Sequence, residues 1–185
     1  MVYWGGLCLV LGLLIAWLSR RSLHDRRSHG FYRFFVFEAI VLLLWRNGPH
    51  WFDDRYAPHQ LVSWVLLFAS LYLLIHSLLL LRVRGGHAPE RAQATAANFA
   101  FENTANLVQN GLYRFIRHPM YASLLLLCWG VFFKAPGWFE GILALLGSLS
   151  LVATARVEER ENLHAFGDAY RSYIQRSKMF IPYLL

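Results

Sequence analysis

The chain has 185 residues, of which 57% are hydrophobic, 16% aromatic and only 16% charged, against about 25% charged in an ordinary soluble domain. With a mean hydropathy of +0.36, that balance excludes a disordered tail, a fibrous repeat, a disulfide scaffold and most soluble folds. The net charge of +7 raises nucleic acid as a partner, but the cations lie between long apolar blocks, where they orient a membrane protein rather than bind a polyanion.

The first block, residues 2–18, carries no charge, and the basic run Arg20, Arg21, Arg26 and Arg27 follows it. A signal peptide has its cations first, so a retained span is expected. The block 31–45 is shorter, with Arg33 near its start and Glu38 inside. A carboxylate at that depth is expected to pair with Arg33 or His76, or else to face a substrate. The block 61–81 has His76 as its only ionisable side chain and is the strongest transmembrane helix of the sequence. Cys8 and Cys128 fall inside apolar blocks without metal-ligand spacing, so neither a zinc site nor a disulfide is expected. Residues 82–110, with Gly85, Gly86, Pro89 and an Ala/Asn-rich middle, have the composition of a cytosolic connection.

Two further apolar blocks, 120–133 and 138–155, are separated only by Lys134, Ala135, Pro136 and Gly137, which predicts a helical hairpin. At about 1.5 Å per residue the first covers about 21 Å, so it starts in the preceding segment or stops short of one membrane surface. The predicted fold is all-α: a polytopic integral membrane protein of about five transmembrane helices, with a C-terminal hairpin and a cytosolic amphipathic tail. Its expected divisions are three N-terminal spans over 1–81, a cytosolic connection over 82–118, and the hairpin with the C-terminal segment over 119–185. Each of the three expected inner segments holds five Lys or Arg, and the outer ones together hold three, Arg46, Arg55 and Lys134. Fifteen against three places the N-terminus outside and the C-terminus in the cytosol, in the inner membrane of a prokaryote.

Chemistry-bearing residues concentrate in two segments that the hairpin brings together, 111–121 and 158–182. Pro119 suits the first turn of a helix, which puts Arg117 and His118 at a helix N-terminus, a place that favours a carboxylate or phosphate. Tyr121 lies three residues after His118 and faces the same side. Taken singly, Arg117 also suits a cation reaching the membrane surface, and Tyr113 and Tyr121 an aromatic belt. Glu158 and Glu159 belong to the mixed run 156–161, most of which a solvated helix turn explains. The following Leu163, Phe166, Tyr170 and Tyr173 recur at spacings of 3, 4 and 3 and line one face, which a merely solvated tail would not need.

Arg117-His118-Pro119-x-Tyr121, preceded by Gly111-Leu112-Tyr113 and followed by Glu158-Glu159, Phe166-Gly167, Tyr170, Tyr173 and Phe180-Ile181-Pro182, resembles the isoprenylcysteine carboxyl methyltransferase family over about residues 107–182. The phospholipid N-methyltransferases look similar through the same half. The resemblance implies an integral membrane enzyme that binds S-adenosylmethionine in a cytosol-facing pocket, with a lipid or prenylated acceptor arriving from the bilayer. It also implies cofactor contacts from Tyr113, Arg117, His118, Tyr121, Glu158 and Glu159, an acceptor-orienting Arg176, and neither metal nor nucleic acid. Two positions depart from the family pattern: Ser123 stands for a glycine, and Met179 for an arginine whose donor is lost or passes to Lys178.

A carboxylate acceptor is already ionised and needs no base. An amine or thiol must lose a proton, with Glu159 or His118 as the nearest base. Two other classes compete. A haem or electron-transfer subunit would need facing intramembrane histidines, which the sequence does not offer, and a membrane scaffold would bind no ligand.

Overall fold

A computed structural model describes residues 2–26, 28–86 and 105–182. They form α1 (Val2–Ser19), α2 (His29–Asn47), α3 (Pro58–Arg84), α4 (Pro119–Phe132), α5 (Trp138–Phe166) and α6 (Asp168–Arg176), with short 3₁₀ turns at Ser22–His24, Gly48–His50 and Gly111–Arg114. Five helices stand where the five apolar blocks predict them; of the tail expected from residue 156 onward, the first part continues α5 to Phe166 and residues 168–176 form α6. Most of the expected cytosolic connection lies outside the described residues.

Helix starts follow local chemistry. The Ser28 hydroxyl accepts the Gly30 N–H at 3.1 Å and caps α2, while prolines open α3 and α4. No proline or glycine interrupts 148–166, so α5 continues past its apolar part and carries Glu158 and Glu159 out on a rigid helix.

The core lies between α2, α4 and α5. Val36, Ile40 and Leu43 on α2, spaced by 4 and 3, meet Cys128 and Val131 on α4 and Leu143, Ala144 and Leu151 on α5. Gly147 permits this approach, because a Cβ there would stand 3.1 Å from the Cys128 Sγ and 3.5 Å from the Ala39 Cβ. Helix α3 packs on α4 through a different device. Its buried Ser63, Ser70 and Ser77 recur every seventh residue. The Ser63 and Ser70 hydroxyls donate to the Gly130 and Ser123 carbonyls at 2.6 and 2.7 Å. Small hydroxyl residues at heptad spacing let two helices approach closely where the surroundings are apolar.

Helices α3 and α5 are long and apolar enough to cross a membrane, and only 11% of the apolar window of α3 is buried, so it is no core helix of a soluble protein. Val65, Phe68, Leu71, Ile75 and Leu79 face outward along it. An apolar exterior of this extent calls for a bilayer. Helices α1 and α4 are apolar but shorter.

At the hairpin-turn end, side chains satisfy carbonyls at and just beyond the end of α4, where the helix supplies no further N–H. Asn47 donates to Val131 O at 2.8 Å, Gln60 to Lys134 O at 3.0 Å, and a His59 ring nitrogen lies 3.0 Å from Phe133 O. The buried Lys134 Nζ donates to Gln60 Oε1 at 3.0 Å and sits 3.7 Å over the Trp64 ring.

For Glu38 the expected pairing is not made. It forms no ion pair with Arg33 or His76, and its Oε1 is buried without a hydrogen-bond partner. It lines an apolar groove of about 1080 Å³ between α1 and α2. Ring stacking on Tyr72 takes up His76.

Candidate functional site

The segment leading into α4 is fixed by its backbone. Gly111 has φ +60°, and a Cβ there would meet Leu80 Cδ1 at 2.8 Å, so a glycine turns the chain against α3 and sends Tyr113 inward. Beyond it, 115–118 runs parallel to 178–179. Lys178 N–H donates to Phe115 O, Arg117 N–H to Lys178 O and His118 N–H to Met179 O, at 2.9, 2.7 and 3.1 Å. Position 179 thus contributes through its carbonyl, which any side chain would supply, and the Met179 side chain packs against the core.

His118 is the N-cap residue of α4, its carbonyl accepting the Ala122 N–H at 2.9 Å. Its ring lies parallel to Tyr121, with centroids 5.4 Å apart, and is flanked by Phe180. Nδ1 stands 3.8 Å from a Glu158 oxygen and Nε2 stands 3.4 Å from Glu159 Oε1. The second contact is out of line for a hydrogen bond, which leaves Nε2 buried without a partner.

Arg117 is occupied by internal partners. Its Nε donates to Glu159 Oε1 at 2.6 Å, and Nη1 donates to Ser177 O at 2.5 Å and Ile174 O at 3.4 Å. One guanidinium thereby joins α5 to the C-terminal end of α6, where helix carbonyls favour a cation. Burial pushes the Glu159 carboxyl up, but the His118 ring 3.4 Å away and the Arg117 guanidinium bonded to it outweigh that and hold the group below the usual carboxylate range.

These groups border a cleft of about 640 Å³. Five of the expected residues line it: Tyr113, Arg117, His118, Tyr121 and Glu158. Glu159 lies behind that wall, bonded to Arg117. Arg176 is not in the lining; it is exposed and donates to Gln109, next to the wall residue Val108. Of the apolar face predicted for the tail, Phe166, Tyr170 and Tyr173 also line the cleft, and Leu163 does not. Gly167, with φ +54°, breaks that face into the end of α5 and the start of α6. The Tyr173 hydroxyl donates to Tyr113 O at 2.5 Å. Burial first, then the Glu158 charge, raises the Tyr113 phenol. Burial likewise raises Tyr170 and Tyr173. All three remain neutral at physiological pH.

Sequence reasoning missed Asn162, Met120 and the Leu107-Val108 strip, all of which line the cleft. Asn162 was within reach, since it follows Glu158 by four residues and so shares its helix face. The other three carry no polar signal.

The family described as phospholipid methyltransferase matches residues 64–169, more than half of the chain. The chain belongs to the phospholipid methyltransferase family. The kinship expected from the 117–121 motif and the Glu158-Glu159 pair holds at this level. Among curated proteins, methanethiol S-methyltransferase 1 of Bradyrhizobium diazoefficiens is 30% identical over 163 residues, covering 82% of this chain and 53% of the relative. Methanethiol S-methyltransferase 2 of the same organism is 26% identical over 162 residues, covering 80% and 58%. Methanethiol S-methyltransferase of Pseudomonas deceptionensis is 30% identical over 73 residues, covering 40% and 27%. The chain spans about half the length of the two Bradyrhizobium relatives. No solved structure matches it.

Proposed function

We propose that this member of the family is an S-adenosylmethionine-dependent methyltransferase that transfers a methyl group to a small thiol. The observation that carries the reading is the cleft itself, in which one carboxylate, Glu158, faces His118 among the aromatic rings of Tyr113, Phe166, Tyr170 and Tyr173. The names of the relatives support thiol as the acceptor.

The lining suits the cofactor. Aromatic faces and a carboxylate attract a sulfonium or ammonium centre, and the N-terminus of α4 favours a carboxylate. The cofactor supplies an electrophilic methyl group carried on a sulfonium. Glu158 and Asn162 would bind its polar end, with Tyr121 and the parallel His118 ring forming the floor. Arg117, in the wall, and Glu159, behind it, would hold α5, α6 and 177–178 at a fixed separation. Arg176, through Gln109, would steady the 107–109 wall, in place of the acceptor-orienting role that the resemblance implies. Transfer is an in-line displacement, so alignment supplies much of the rate. The charge asymmetry of the sequence supports the cleft opening to the cytosol and the N-terminus lying outside, in a bacterial inner membrane.

Calorimetric titration of the detergent-solubilised protein with S-adenosylhomocysteine tests the reading. Micromolar binding is expected, weakened at least tenfold in Glu158→Gln, with methylated thiol appearing in the headspace when methanethiol and cofactor are supplied. Absence of both binding and thermal stabilisation in the wild type would refute it. A lipid acceptor is the second reading, favoured by Leu81, Leu107 and Met120, which give the cleft an apolar side. Methylation of a farnesylcysteine analogue or of phosphatidylethanolamine in preference to methanethiol would select it.

A further inference from the structure

The thiol reading leaves one chemical need unmet. A thiol is a poor nucleophile until it loses its proton. The site must therefore hold a group that takes this proton, is accessible from the cleft, and is held in one orientation.

We propose that His118 Nδ1 is the proton acceptor for the thiol and that Glu159 is its positioning residue; this inference rests on the thiol reading. The imidazole lines the cleft and is fixed on both sides. Its backbone is tied to Met179 and Ala122, and its ring is held against Tyr121 and Phe180. The two ring nitrogens have unlike surroundings. Nε2 is buried, and its nearest acceptor is Glu159 Oε1 at 3.4 Å. A small rotation of the ring or the carboxylate brings that contact into line as a hydrogen bond, and catalytic hydrogen bonds commonly tighten once ligands bind. With its proton on Nε2, the ring presents the Nδ1 lone pair towards the Glu158 side of the cleft.

Five charged or titratable neighbours, Glu158, Glu159, Tyr113, Tyr170 and Tyr173, suit this assignment. Glu159 is bonded to Arg117 and stays ionised, so it faces the buried N–H as an anion and stabilises the imidazolium once the second proton arrives. Glu158, 3.8 Å from Nδ1, adds a second negative charge on the cleft side. The Tyr113, Tyr170 and Tyr173 phenols are held neutral by burial and compete neither as bases nor as anions. Glu158 is itself the weaker choice, since a carboxylate is far less basic than a thiolate, whereas an imidazole lies closer.

The step balances. The thiol S–H bond breaks and its proton passes to Nδ1. The thiol sulfur forms the new S–CH₃ bond with its electron pair as the methyl–sulfonium bond breaks, and that bond's electron pair stays on the departing sulfur as a neutral thioether. The positive charge that was on the sulfonium is then on the imidazolium, which returns its proton to water at the cleft mouth.

The test combines binding, rate and spectroscopy on the full chain in detergent. Because the His118 ring forms part of the cleft floor, His118→Gln is expected to bind S-adenosylhomocysteine several-fold more weakly, while thiol methylation at pH 7, measured at saturating cofactor, falls by about 10²- to 10³-fold. The deficit is expected to shrink about tenfold per pH unit as the thiol begins to ionise by itself, and added imidazole should partly restore His118→Gly. Glu159→Gln should lower kcat and leave KM for the thiol nearly unchanged. Nitrogen-15 shifts of the wild-type imidazole should report the proton on Nε2 at neutral pH, a readout that needs neither turnover nor a folded variant. The proposal is overturned if the shifts place the proton on Nδ1, or if His118→Gln, saturated with cofactor, still methylates thiol at the wild-type rate. It is also overturned if the variant's deficit is the same at every pH. Failure of the wild type to bind S-adenosylhomocysteine at all would instead overturn the methyltransferase reading beneath it.

Discussion

Replacing Arg117 with methionine keeps the length of the aliphatic stem and removes the guanidinium that joins three elements. In the native protein its Nε and Nη1 donate to Glu159 Oε1 at 2.6 Å and Ser177 O at 2.5 Å, with Ile174 O more distant at 3.4 Å. The Arg117 and Glu159 side chains are only 9% and 15% exposed. Deleting one partner of a buried pair leaves the other charge uncompensated and costs about 3–5 kcal/mol. Glu159 keeps some access to water, which places the expected loss near the lower end, about 3 kcal/mol. For a chain of this length each kcal/mol moves the thermal midpoint by about 2–4 °C, so a fall of about 6–12 °C is expected by differential scanning fluorimetry in detergent. Converting Glu159 to leucine in the same chain removes the stranded carboxylate and should recover about half of the loss. A shift below about 2 °C for Arg117→Met, or a double variant that loses the sum of the two single losses, would show that water rather than the protein solvates this pair.

Three further expectations concern the same end of the bundle. The folded-state Glu159 carboxyl titrates below its unfolded value, so its contribution to stability is complete above the unfolded pKa of about 4.3 and is lost as pH falls through the folded value. The wild-type midpoint should therefore decline towards Glu159→Gln as pH drops from about 5 to 3, and a gap between them that does not change with pH refutes the assignment. Tyr173→Phe removes the bond to Tyr113 O and should cost about 1 kcal/mol, with several-fold weaker S-adenosylhomocysteine binding by calorimetry; unchanged affinity would mean that α6 does not shape the cleft. Gly111→Ala forces an alanine into φ +60° at a cost of about 1 kcal/mol, and the same titration should show weaker binding as the Tyr113 turn is displaced, whereas affinity equal to wild type would show that the wall tolerates the strain.

Much of this architecture is legible in the residues because the bilayer imposes a simple code. Five apolar blocks give five helices, and the four residues Lys134 to Gly137 give the turn of the hairpin. The motif Arg117 to Tyr121 and the pair Glu158-Glu159 meet because that hairpin folds them to one end. The helix start at Pro119 is likewise foreseeable. Less legible are the partners. Successive residues on a helix point about 100° apart, so Glu158, Glu159 and Glu161 fan out to the cleft, to Arg117 and to His29, although as a string they have the pattern of a solvated run. The lacing of 115–118 to 178–179 uses carbonyls and N–H groups that every sequence supplies, so nothing in the letters announces it. For the same reason the apparent loss of a donor at Met179 has no counterpart in the backbone bond that this position makes. Glu38 illustrates the reverse limit: its depth is legible, but a pairing with Arg33 or His76 depended on helix rotation, which the sequence leaves open.

The opposite end of the bundle offers a control for all of these arguments, because stability and binding should separate along α4. Gln60 is buried at the hairpin turn, donating to Lys134 O and accepting from Lys134 Nζ at 3.0 Å each. Gln60→Leu strands both groups, leaving the ammonium the rings of Trp64 and Trp51, at an expected cost of about 2–3 kcal/mol and a midpoint lower by about 4–12 °C. The fourteen residues of α4 put this cluster about 21 Å from His118. Sites at that separation should contribute additively. S-adenosylhomocysteine affinity well below the melting range should therefore match wild type in Gln60→Leu, and Gln60→Leu combined with Tyr173→Phe should lose the sum of the two stabilities. Affinity that falls along with the midpoint would mean that α4 transmits the loosened turn to its N-terminus, and that the cleft depends on the packing of the whole bundle rather than on the contacts around Arg117 and His118.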